Sequence, residues 1–199
     1  MSSIIKKIPN WLTYLRIALI PLFVVLMIDP TPRMNILATY VFIFASFTDY
    51  VDGVIARKFE GVSDFGKLLD PLADKILVMA GLVMLLAQLH DERGHAWVPG
   101  WMVVLVLARE IWITGLRGVA ASEGVVVQAG GVGKLKSGFQ MVGIVLLLLH
   151  DRPLSAFGLL VPYSCQLVGV NLLLISIFFS LWSAFEYTWE ILLAKKGDK

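Results

Sequence analysis

The chain has 199 residues, 58% of them hydrophobic and only 16% charged, with a formal net charge of +2. Soluble domains average roughly 45–50% apolar and about 25% charged residues, so this composition argues against a water-soluble enzyme and for several membrane-spanning helices. No basic stripe interleaved with aromatics is present, which excludes a nucleic-acid partner, and the single cysteine, Cys165, lies in an apolar segment as a small buried hydrophobe.

Lys6, Lys7 and Pro9 precede the first apolar run, which lacks a small-residue cleavage site and is followed by more of its kind. It is therefore expected to be a retained helix, with residues 2–8 as a short amphipathic segment on the membrane surface. That first span runs from about Trp11 to Ile28 and ends at the breaker Asp29-Pro30-Thr31-Pro32. The second covers Asn35 to Lys58, and a turn at Glu60 to Asp64 leads into the third, Phe65 to His90. Asp64 is expected to cap that helix. After the polar turn Asp91 to His95, the fourth span runs from Trp97 to Ala121, and a glycine-rich connection, Gly124 to Gly133, leads to the fifth, Lys134 to Leu149. His150-Asp151-Arg152-Pro153 breaks it; the last span ends near Leu193, and Pro162 leaves its beginning between residues 154 and 170. The expected architecture is an all-α integral membrane protein of six transmembrane helices in one domain, residues 1–199.

Charge orients these spans. Lys6, Lys7, Arg16, Arg57, Lys58, Lys67, Lys134, Lys136, Lys195, Lys196 and Lys199 fall on one side; Arg33, Arg93 and Arg152 fall on the other. The positive-inside rule places both termini in the cytoplasm of a multi-pass protein of the bacterial cytoplasmic membrane. Trp97, Trp101 and Trp189 fall near span ends, where an aromatic belt is expected. His90, His95 and His150 lie at outer helix ends and are expected at the interface or in loops, not as metal ligands. The run Gly130 to Lys134 fails as a phosphate loop, because Gln128 stands at the first glycine position and Leu135 follows the lysine.

The chemistry concentrates between Asp49 and Asp74, a stretch with five aspartates, three basic residues and three glycines. Charged groups near membrane depth are costly and mark function by default. Asp49 and Asp52 are spaced i, i+3, and Asp70 and Asp74 i, i+4, so each pair lies on one face of its helix. Four converging carboxylates would repel one another without cations between them, and oxygen donors suit one or two divalent ions. A structural ion-pair network with Arg57, Lys58, Lys67 and Lys75 is the alternative. Gly53, Ala56 and Gly66 remove bulk beside the carboxylates, and Arg57 adds a cation one turn beyond Gly53.

The pattern Asp49-x2-Asp52-Gly53-x2-Ala56-Arg57-x8-Gly66-x3-Asp70-x3-Asp74 resembles the complete signature of the CDP-alcohol phosphotransferases. The resemblance implies the six-helix membrane fold of that family, usually a homodimer, and an enzyme that displaces CMP from a CDP-linked lipid such as CDP-diacylglycerol. It further implies that Asp49, Asp52, Asp70 and Asp74 hold metal (Mg²⁺ or Mn²⁺, two ions), with the first three also at the CDP pyrophosphate. Asp74 would also be the general base on the acceptor hydroxyl. Gly53, Ala56, Arg57 and Gly66 would shape the nucleotide site, with Asn10, Thr13 and Ser63 as further polar contacts to the donor. Membrane lipids would hold the acyl tails while the headgroup reacts at the cytoplasmic face.

Arg109, Arg117, Lys134 and Lys136 form a candidate anion pocket, since arginine suits bidentate phosphate binding. Arg109 and Glu110 also allow an internal ion pair, whereas Arg117 and the lysines have no acidic residue at helical spacing. Arg109-Glu110, Leu116-Arg117, Gly133-Lys134-x-Lys136-Ser137 and Gln140 resemble the acceptor side of the bacterial phosphatidylglycerophosphate synthases, with serine at 137 where threonine is common. That resemblance implies sn-glycerol 3-phosphate as acceptor. Inositol phosphate or phosphatidylglycerol is the alternative, and a divalent-cation transporter the distant one.

Overall fold

A computed structural model describes residues 8–58, 64–88, 95–122, 132–158 and 163–197, with side chains described for 11–48, 69, 72–88, 95–120, 122, 135–158 and 163–193. Among the described residues there are six α-helices, one short 3-10 turn and no strand. They are α1 (Ile8–Ile28), α2 (Pro32–Lys58), α3 (Asp64–Ala87), α4 (Gly100–Ser122), α5 (Val132–Leu148) and α6 (Cys165–Gly197), the 3-10 turn being Leu154–Phe157. The helices fall into two compact units, Met1–Trp97 with Leu148–His150, and Val98–Leu147 with Asp151–Lys199.

In the first unit, α1 packs against α2 and α3. Thr13, Arg16, Ile20, Phe23 and Met27 are buried and recur at alternating spacings of three and four, which makes one inward stripe. Trp11, Tyr14, Leu15, Leu22, Val25 and Ile28 cover the outward face. Pro32 opens α2 at a position where its missing N–H costs nothing, and the Thr31 hydroxyl accepts the Met34 N–H at 3.2 Å. Phe23 and Phe42 meet at a ring separation of 5.7 Å. Only residues 29–31 join α1 to α2, and 59–63 join α2 to α3, so packed neighbours with such short connections run antiparallel. Gln88, just past the end of α3, donates from Nε2 to the Met27 carbonyl at 2.9 Å, tying the matching ends of α1 and α3 together. At this end too, Trp97 stacks on His150 (3.8 Å between centroids) and Asn35 Nδ2 lies 2.9 Å from His150 Nδ1.

In the second unit, α4 and α6 enclose Ile113, Ala120, Ala184, Tyr187 and Ile191. Helices α5 and α6 meet through glycine: a Cβ added at Gly169 would lie 2.9 Å from the Gly143 carbonyl oxygen and 3.1 Å from the Leu147 nitrogen. Close backbone approach through small residues is how helices associate where lipid leaves no hydrophobic drive between them. The segment before α6 is closed by an antiparallel bridge, with Leu154 N–H donating to Tyr163 O at 3.0 Å and Cys165 N–H to Arg152 O at 2.8 Å.

Among the described residues, two stretches are long and apolar enough to cross a membrane, Trp11–Ile28 and Cys165–Leu193, and Leu135–Leu148 is a shorter apolar helix. Their outward faces are built of large apolar residues, with Trp11 72%, Phe178 64% and Phe185 69% exposed. A soluble protein does not show aliphatic and aromatic surface on this scale, so this is a membrane protein.

Several expectations change. The first helix opens at Ile8, and the rest of the surface segment expected at 2–8 lies outside the described residues. The third helix ends at Ala87, the fourth begins at Gly100 after Pro99, and the last begins at Cys165, beyond the interrupted stretch. Trp97 belongs to no aromatic belt: it is buried against His150, whereas Trp101 and Trp189 are exposed. Arg16, counted among the charges at one membrane side, is 0% exposed, because three- and four-residue steps place it between Thr13 and Ile20 on the inward stripe of α1. The loop placement expected of the histidines holds for two of them: His150 sits half-buried in the turn after α5 with φ 59° and His95 is exposed ahead of α4, while His90 lies outside the described residues.

Candidate active site

The residues expected on the donor side lie in the first unit. Helix α2 carries Asp49, Asp52, Gly53, Ala56 and Arg57; α3 carries Gly66, Asp70 and Asp74. These two helices pack against each other. Their register follows from the shared connection. Asp52 lies six residues before the end of α2 and Asp70 six residues after the start of α3, each about 9 Å along its helix at 1.5 Å per residue. Asp49 and Asp74 are nine and ten residues from the same ends, about 14 and 15 Å. An antiparallel hairpin therefore sets Asp52 level with Asp70, and Asp49 level with Asp74. The short i, i+3 and i, i+4 spacings decide which residues share a face; the equal distances from the turn decide that the two pairs share a depth.

Of the four aspartates, Asp74 is the one whose side chain is described, and it is half-buried. Aspartate carboxylates are hard oxygen donors of the kind that suit Mg²⁺ or Mn²⁺, so the residue types present fit the ions that the family resemblance implies. On α1, Thr13 is 3% exposed and Asn10 lies one turn before it. Ser63 lies outside the described residues.

Arg16, which the sequence reading placed among the charges of one membrane side, is a fully buried cation of the first unit. It lies 11 residues before Met27, and Asp74 lies 14 residues before Gln88, while the Gln88–Met27 bond sets those two residues level. The Cα positions are thus about 17 and 21 Å from the anchored end. Helical side chains lean toward the N-terminus, so the long Arg16 side chain leans toward the level of Asp74. The available signal was the spacing Asn10, Thr13, Arg16, two successive steps of three from residues already singled out.

The four cations expected on the acceptor side lie in the second unit, and they have different partners. Arg109 of α4 donates from Nε to the Ser180 carbonyl at 3.1 Å and from NH1 to Glu110 Oε1 at 3.0 Å. Lys136 of α5, 6% exposed, pairs with that same Glu110 oxygen. The backbone carbonyl of Lys136 accepts the Ser176 hydroxyl at 3.1 Å. Arg109 and Lys136 are thus brought together around one carboxylate, and the acidic residue missing from Lys136 at helical spacing is supplied by the neighbouring helix. Arg117 is exposed, with its guanidinium 5.6 Å above the Tyr187 ring. Lys134 lies in the first turn of α5. The ion pair that the sequence allows between Arg109 and Glu110 is present and extends to Lys136. Charged groups with side-chain exposures of 9%, 12% and 7% for Arg109, Glu110 and Lys136 persist in such surroundings only when mutually compensated.

Outside these clusters, Trp182 Nε1 donates to Glu186 at 2.7 Å on the exposed face of α6, and Cys165 is buried as expected.

The family model for CDP-alcohol phosphatidyltransferases matches residues 6–182. The chain is 38% identical to a Bacillus subtilis (strain 168) protein over 94% of its own length and 97% of that protein's. It is 35% identical to one from Rickettsia bellii over 92% and 93%, and 35% identical to one from Yersinia pestis over 94% and 97%. All three carry the name CDP-diacylglycerol–glycerol-3-phosphate 3-phosphatidyltransferase.

Proposed function

The chain belongs to the CDP-alcohol phosphatidyltransferase family, and from that premise we propose that it transfers a phosphatidyl group from CDP-diacylglycerol to sn-glycerol 3-phosphate. The products are phosphatidylglycerol phosphate and CMP, a step of phospholipid synthesis. The observation that carries the reading is similarity over nearly the whole chain to relatives bearing the matching name. The paired aspartates at matched depth on α2 and α3, and the cations around Glu110, support it.

In this reading Asp49, Asp52, Asp70 and Asp74 hold two divalent ions, Mg²⁺ or Mn²⁺. When bound, such ions neutralise charge on the pyrophosphate and on departing CMP. Gly53, Ala56 and Gly66 let the nucleotide lie close to the helix backbones. Arg57, Asn10, Thr13 and Ser63 contact the donor. Asp74 accepts the proton of the acceptor hydroxyl. The hydroxyl oxygen bonds to the phosphorus that carries diacylglycerol, the anhydride bond to CMP breaks, and the electron pair leaves with CMP. Arg109, Arg117, Lys134 and Lys136 bind the acceptor phosphate, which neutral acceptors such as serine would not need.

The same reading has six membrane-spanning helices, both termini and the aspartates at the cytoplasmic side, where CDP-linked lipids are made from nucleotides, and a homodimer in the bacterial cytoplasmic membrane. The test is direct. Purified protein with CDP-diacylglycerol, sn-glycerol 3-phosphate and Mg²⁺ or Mn²⁺ should release CMP and form the phosphatidyl product; absence of product refutes the proposal. Labelled sn-glycerol 3-phosphate, inositol phosphate and phosphatidylglycerol, offered together, identify the acceptor.

A further inference from the structure

The acceptor-side cations are held by a carboxylate that the reaction itself does not require. Glu110 Oε1 receives both Arg109 NH1 and Lys136 Nζ, joining α4 to α5 at one oxygen. Arg109 is further fixed by its Nε bond to the Ser180 carbonyl on α6. With Nε and NH1 so engaged, the guanidinium plane is set by two helices, and among the described residues no acceptor stands against its NH2 group. A guanidinium held this way presents a pre-aimed edge to a phosphate.

The charge balance is equally specific. Glu110 places one negative charge between the positive charges of Arg109 and Lys136. Under the proposed reaction both acceptor and product bear a phosphate monoester. Two buried cations with no carboxylate between them would hold that group before and after the transfer alike. Uniformly tight binding lowers KM without raising kcat and slows product departure.

We propose that Glu110 is a positioning residue that sets the anion affinity of the acceptor phosphate seat. Its carboxylate, shared between Arg109 and Lys136, aims the open edge of the guanidinium and lowers the positive charge the pair offers. The phosphate-bearing acceptor is thereby bound and the phosphate-bearing product released. This inference rests on the proposed function, since it presumes that Arg109 and Lys136 meet the acceptor phosphate.

The test uses the full chain in detergent micelles, with CMP release measured against sn-glycerol 3-phosphate and with inorganic phosphate as the probe of the seat. Glu110→Gln keeps the size of the side chain and removes its charge. The KM for sn-glycerol 3-phosphate and the inhibition constant of phosphate should both fall about tenfold, as expected for removing one charge near a partly buried anion site, and kcat should fall with them. Glu110→Asp keeps the charge one methylene further back, so its phosphate inhibition constant should lie between those of the wild type and Glu110→Gln. A phosphate inhibition constant that is unchanged or raised in Glu110→Gln overturns the proposal and leaves Glu110 a purely structural ion-pair partner. Should Glu110→Gln not fold, Glu110→Asp decides alone, and a constant above the wild-type value overturns it. Wild-type protein that gives no product with sn-glycerol 3-phosphate would instead refute the functional reading, so the two failures are distinguishable.

Discussion

Leucine substituted at two glycines separates close helix packing from helix propensity. At Gly169 the first added carbon would lie 2.9 Å from the Gly143 carbonyl oxygen, 2.9 Å from Leu147 Cγ and 3.1 Å from the Leu147 nitrogen. Two of these atoms are backbone and yield only if α5 and α6 move apart. At Gly138, on the same α5, nothing lies within 4 Å of the added carbon. Overpacking costs about 1–3 kcal/mol, and a leucine's branches beyond Cβ place Gly169→Leu at the upper end. Replacing a helical glycine returns about 1 kcal/mol of propensity at either site. The expected net effects are a loss of about 2 kcal/mol for Gly169→Leu and a gain of up to about 1 kcal/mol for Gly138→Leu. At about 2–4 °C per kcal/mol for a chain of this size, thermal unfolding in detergent should resolve them. Lys136 lies seven residues before Gly143 on α5, so separating the helices should also raise the acceptor KM in Gly169→Leu. The reasoning fails if Gly169→Leu unfolds at or above the temperature of Gly138→Leu.

Asp74→Asn should abolish turnover while CDP-lipid binding, followed by titration of the donor, stays substantial; near-normal turnover would remove Asp74 as the base. Chelation with excess EDTA should reduce CMP release to background, with recovery on adding Mg²⁺ or Mn²⁺, and activity that survives dialysis against the chelator would contradict a metal site at the aspartates. Arg16→Ala empties a fully buried position on α1 and should destabilise the protein by about 3 kcal/mol or more. An unfolding temperature within about 2 °C of the wild type, which is under 1 kcal/mol, would show that the first unit does not depend on it.

Much of the candidate donor site is legible locally. Helical spacing alone puts Asp49 with Asp52 and Asp70 with Asp74, and the composition between them points to a ligand with phosphates. The spans are legible for the same reason: runs of apolar residues bounded by Asp29-Pro30, His150-Asp151 and Pro153 need no tertiary information. What spacing cannot supply is the partner of a residue on another helix. Lys136 and Glu110 are 26 positions apart, and no periodicity links them. Trp97 and Arg16 were misread because an aromatic near a span end and a cation near a terminus both fit the membrane interface by composition.

The sequence by itself determined the helices, the membrane character and the family signature between Asp49 and Asp74, because each is written in residues within a few turns of one another. Only the tertiary structure decided which charges are compensated: Arg109 and Lys136 converge on Glu110, while Arg117 rests over Tyr187. The physical reason is that burial and pairing of a charge depend on the neighbouring helix, whose rotation and depth are set by packing, such as the Gly143–Gly169 contact, and not by the sequence around the charge.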